Sequence, residues 1–107
     1  MENTELILNI NKDLAIDLPE KISFDELHSK LSGHINYLIK NNFEVLVALL
    51  YKIDVSEDKL KGLLRNNPNE DAGNIIATLI IERQQQKIIF KKQFTNKSSG
   101  SSNEEKW

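Results

Sequence analysis

A chain of 107 residues is one domain's worth, able to bury about two thirds of the surface its unfolded form exposes. Its composition, 39% hydrophobic and 28% charged with four Gly and two Pro, is too apolar for disorder over most of its length. The lack of cysteine excludes disulfides, a thiolate nucleophile and a thiolate zinc site, and the formal net charge of -2 conceals an acidic beginning and a basic end.

The first residues, Met1-Glu2-Asn3-Thr4-Glu5, lack the positive region and small-residue cleavage site of a signal peptide. No apolar run approaches the roughly 20 residues that span a bilayer, so the expectation is a cytoplasmic protein with no membrane partner. In residues 6 to 18, Leu6, Leu8 and Ile10 alternate with Ile7 and Asn9, and Leu14, Ile16 and Leu18 alternate with Ala15 and Asp17. Alternation of period two predicts a short hairpin, which is marginal in water unless it packs on something else; the alternative is an extended arm laid across a helical core.

Ser23 and Glu26 stand at the spacing of a capping box, which predicts a helix starting near Phe24. Leu27, Leu31, Ile35, Leu38 and Ile39 follow on one side of that helix as far as Asn41-Asn42, with Gly33 inside it as a close crossing or a weak point. Phe43, Leu46, Val47, Leu49, Leu50 and Ile53 form a denser set, which predicts a short helix buried on more than one side at the centre of the core. Asp54 or Ser56 caps the next helix, Asp54 being favoured because Glu57 completes a box; Leu60, Leu63 and Leu64 supply its buried face, and Asn66-Asn67-Pro68-Asn69 ends it.

Asn69 or Asp71 then caps a long last helix, with acids at its start and Arg83, Lys87, Lys91 and Lys92 toward its end, as the helix dipole favours. Its first half, Ile75-Ile76-Ala77-Thr78-Leu79-Ile80-Ile81, is apolar enough to be wetted on a narrow face at most. From Asn96 the chain turns to Ser, Gly, Asn and Glu, predicting a flexible polar tail at 96–107, with Trp107 either a small docking anchor or an exposed chain end. The fold class expected is all-α: about four helices in a small bundle, an N-terminal extended arm or hairpin at 1–20, and a long C-terminal helix, within one domain at 1–95.

No catalytic or metal constellation stands out. His28 and His34 are six apart, not the three or four of a helix-borne metal pair. The run from Asp54 to Lys59 resembles a calcium loop only until Lys59 replaces the turn glycine and Arg65 the bidentate carboxylate. Asp13 with Asp17, and Asp54 with Asp58, pair carboxylates, but general acid and base work needs a cleft that shifts their pKa values. Asn96-Lys97-Ser98 matches a glycosylation sequon, read as chance in a polar tail. Neither catalytic activity, nor a cofactor, nor a small-molecule substrate is expected.

Binding is the expectation instead. On a continuous helix Ile76, Ile80, Arg83, Lys87, Phe90 and Phe94 fall near one side, and Ile81 and Ile88 near the other, so one set outruns the short helices available to cover it. The interface expected is Arg83, Lys87, Ile88, Phe90, Lys91 and Phe94, serving self-association through the C-terminal helix, a homodimer above all, or a protein partner. The same basic segment offers a second possibility, a nucleic-acid-associated regulator; Lys59, Lys61 and Arg65, diluted by Glu57 and Asp58, make a poor recognition helix.

Leu49-Leu50-Tyr51-Lys52-Ile53-Asp54-Val55-Ser56-Glu57, followed by Ile80-Ile81-Glu82-Arg83-Gln84 and Gln86-Lys87, resembles short uncharacterised proteins of Bacteroidota in which LLY-IDVSE and IIERQ-QK patterns recur. The resemblance covers roughly the C-terminal two thirds of the chain. It implies a bacterial cytoplasmic protein and supplies no site residues.

Overall fold

The computed structural model describes the backbone of residues 3–101 and the side chains of residues 3–93. Five helices account for the regular structure: α1 (Thr4–Leu14), α2 (Phe24–Asn41), α3 (Phe43–Ile53), α4 (Glu57–Asn66) and α5 (Ala72–Ser101), with no strand among the described residues. The proposed anchor Trp107 lies outside them, as does the side chain of Phe94, and the tail expected from Asn96 is described only as helical backbone to Ser101.

The expected hairpin or arm is a helix. Leu6, Ile7, Ile10 and Leu14 are buried, a helical stripe, whereas the strand reading needs Leu8 on the buried side and it is 46% exposed. Period-two alternation and a helical stripe share Leu6 and Ile10, and packing against other helices decides for the stripe. Ala15, at φ 57°, ends α1 in the left-handed region, and the Asn11 amide then ties down the return loop: Leu18 N–H donates to Asn11 Oδ1 at 2.8 Å, and Asn11 Nδ2 donates to Leu18 O at 3.0 Å.

The Ser23–Glu26 capping box forms in both directions, Glu26 N–H donating to Ser23 Oγ and Ser23 N–H to Glu26 Oε1, each at 3.1 Å. Of the two caps open for α4, Ser56 is used: Lys59 N–H donates to its hydroxyl at 3.2 Å. Asp54 is excluded because it closes α3 at φ 71°, and a residue in the left-handed region cannot hold the extended geometry of an N-cap. Asp71 starts α5, its Oδ2 accepting from Asn74 N–H at 3.0 Å.

α5 is the spine. α2 runs antiparallel to its first half through three polar contacts in register: His28 Nε2 with Thr78 Oγ1 at 2.7 Å, Ser32 Oγ with Asn74 Oδ1 at 2.9 Å, and Asn36 Nδ2 with Asp71 Oδ2 at 2.8 Å. Thr78 Oγ1 also lies 3.0 Å from Asn74 O, so the hydroxyl bridges α2 and its own helix. α1 runs antiparallel to the second half, marked by Asp13 with Gln84 and Glu5 with Lys92. Between these helices lies one core containing Ile7, Ile10, Leu27, Leu31, Ile35, Leu46, Ile53, Ile80 and Ile81. In the first half of α5, Ile75, Ile76, Ala77, Leu79, Ile80 and Ile81 are buried and only Thr78 is open, the narrow wetted face foreseen.

α3 is not the centre of this core. Only Leu46 and Ile53 are buried on it, while Phe43, Val45 and Tyr51 are exposed. α4 buries no residue completely; Leu60, Leu63 and Leu64 are each half-buried. The centre belongs to α2 and α5, whose longer stripes cover each other.

Candidate interaction surface

The outer half of α5 carries the residues singled out by sequence, and the fold sorts them. Ile76 and Ile80 begin the stripe inside the core; Arg83 and Lys87 lie half-buried at its margin; Phe90, 69% exposed, and Lys91 lie beyond it. Ile88, on the opposite side, packs half-buried against the core beside α1. The N-terminal segment, expected as a hairpin or an arm across the helical core, covers one side of this region as a helix.

On the outward side, Arg83, Gln86, Lys87, Ile89, Phe90 and Gln93 line an open depression. Ile89, which the sequence reading did not include, is 56% exposed and stands beside Phe90 as a second large apolar group. Helical spacing gives the signal that could have found it: Gln86, Ile89 and Gln93 recur at three and four residues on the flank away from Ile88.

The basic character of the segment is less than its sequence suggests. Arg83 reaches across to Asp54 Oδ2 at 3.2 Å and to Gln86 Oε1 at 3.3 Å, leaving its buried Nε without a partner. Lys92 pairs with Glu5 at 3.4 Å. Such exposed pairs contribute about 0–1 kcal/mol each, yet they neutralise two of the segment's cations. Lys87 and Lys91 have no carboxylate partner among the described residues. The resulting patch is apolar at Ile89 and Phe90, amide-bearing at Gln86 and Gln93, and positive at Lys87, whereas Lys91, seven residues after Gln84, falls on the flank toward α1.

Next to it, Asp54, Ser56, Lys59, Glu82 and Arg83 line a polar cleft. Its charges are spent on each other, Arg83 on Asp54 and Lys59 on Glu82 at 3.5 Å. The two histidines are apart in role: His28 belongs to the α2–α5 contact, and His34 is half-buried, its pKa held below the ordinary 6.5 by burial. No group of three or more His, Asp or Glu side chains suited to a metal ion occurs among the described residues, and no helix among them is long and apolar enough to cross a membrane.

No protein family, curated protein or solved structure matches the chain.

Proposed function

We propose that this chain is a small binding domain of adaptor type, docking another protein on the outward side of α5 through Ile89 and Phe90 with Lys87 beside them. The observation that carries it is the uncovered outward side of α5 along the stretch that α1 flanks, with two large apolar side chains more than half exposed. The cationic rim defines the partner's chemistry: a surface or helix that combines apolar groups with Asp or Glu.

A nucleic-acid role has less support, because phosphate binding scales with the number of cations free to release counterions, and Arg83 and Lys92 already hold carboxylates. A bacterial cytoplasmic setting rests on the cysteine-free composition and on the resemblance of the segments at 49–57 and 80–87. Affinity capture from bacterial lysate, with and without nuclease, tests the proposal. The expected result is a stoichiometric protein recovered equally in both, lost with Ile89→Ser/Phe90→Ser and weakened by Lys87→Glu; recovery abolished by nuclease contradicts it.

A further inference from the structure

α3 leaves a second surface unexplained. Its sequence, Phe43 to Ile53, is almost wholly apolar, yet Leu46 and Ile53 alone are buried, with Phe43 58% and Tyr51 72% exposed. At 100° per residue, Phe43, Val47 and Tyr51 form a line turning away from the Leu46–Ile53 side, and Glu44, Ala48 and Lys52 form the line next to it. Val47 is half-buried and Ala48 exposed, so the middle of this face is small enough for another backbone to approach closely.

The charges on this face have a symmetry that those of α5 lack. Glu44 and Lys52 stand four residues to either side of Ala48 on one flank, one acid and one base. An antiparallel two-fold pairing centred on Ala48 brings the same flank of both helices together, so Glu44 of each copy faces Lys52 of the other. Glu44 has no ion-pair partner among the described residues, and the Lys52 ammonium makes only a 3.3 Å bond to Asp13 O, which leaves donors to spare. In the same pairing Phe43, Val47 and Tyr51 of both copies close over one another and the two helix dipoles oppose. A partner of one sign satisfies only one end of this pattern, whereas a second copy satisfies both.

We infer that the chain forms a two-fold homodimer through α3, with Phe43, Val47 and Tyr51 as the apolar contact and reciprocal Glu44–Lys52 pairs fixing the register. Such a dimer uses a face separate from the α5 patch and presents that patch twice. Sedimentation equilibrium of the full chain over a concentration series tests it. Wild type should reach twice its 12.3 kDa mass. Ala48→Asp, a surface change that places two like charges at the axis, should sediment as a monomer with unchanged circular dichroism. Glu44→Lys and Lys52→Glu should each weaken the dimer about tenfold, since each breaks both pairs and adds repulsion, and the double exchange should restore it. A wild type that stays monomeric at about 100 μM, far above the micromolar range of specific dimers, overturns the inference, as does a dimer indifferent to Ala48→Asp or a double exchange that stays weak; in those cases the α3 face has another occupant.

Discussion

Asn36 and Gly73 meet where α2 packs on α5, close enough that a side chain at residue 73 must displace the Asn36 carboxamide. A Cβ on Gly73 would lie about 2.5 Å from the Asn36 carboxamide, which is itself held by Asp71. Gly73→Ala should therefore displace Asn36 from Asp71, a loss of about 1 kcal/mol that a gain of about 1 kcal/mol in helix propensity offsets, and it should become net stabilising in the presence of Asn36→Ala, a coupling that urea denaturation of the four chains would measure. Gly33 is the opposite case: a Cβ there meets nothing within 4 Å. Gly33→Ala should stabilise by up to about 1 kcal/mol through helix propensity alone, so it was a weak point and not a crossing. His34 makes stability depend on pH. Burial lowers its pKa below 6.5, so the unfolded chain takes up the proton first as pH falls, and stability declines from about 6.5 downward until the folded-state pKa is passed. His34→Gln should flatten that part of a plot of urea midpoint against pH; an unchanged slope would show that burial of this ring does not contribute.

At the scale of helices, capping and stripes explain both what was legible and what was not. The starts of α2 and α5 were readable because Ser23, Glu26 and Asp71 act locally, on backbone N–H groups three residues away. Ser23→Ala should cost about 1 kcal/mol, read as a lower thermal midpoint. α1 was not readable as a helix, since its eleven residues fit two periods and the choice is made by α5. Gln84 shows how far apart the deciding residues lie: it is 2% exposed and donates to Asp13 Oδ2 at 2.7 Å, a contact between polar residues 71 positions apart. α3 misled in the other sense. Its apolar content signals burial, and composition cannot distinguish burial in this chain from burial against a second one.

For the whole molecule, a 30-residue spine serves two covering helices in turn, and at about 1.5 Å per residue it is roughly as long as the 50 Å long axis of the protein. α2 lies along its first half and α1 along the stretch from Gln84 to Lys92, leaving the outward side of that stretch open. Of the six residues proposed for an interface from sequence, Phe90 is on that open side, Arg83 and Lys87 lie at its margin, Lys91 is exposed on the flank toward α1, Ile88 faces α1, and the side chain of Phe94 is outside the described residues. The stripe itself was visible in the sequence, but which flank α1 would cover was not, because that depends on a helix some 70 residues earlier in the chain.

The two open faces are proposed to have separate tasks, α3 joining copies and α5 docking a different protein. Sedimentation equilibrium of Ile89→Ser/Phe90→Ser beside Ala48→Asp tests that division most directly. The account predicts a dimer of wild-type strength for the first and a monomer for the second. A dimer that dissociates with Ile89→Ser/Phe90→Ser and survives Ala48→Asp would contradict it and place self-association on the C-terminal helix.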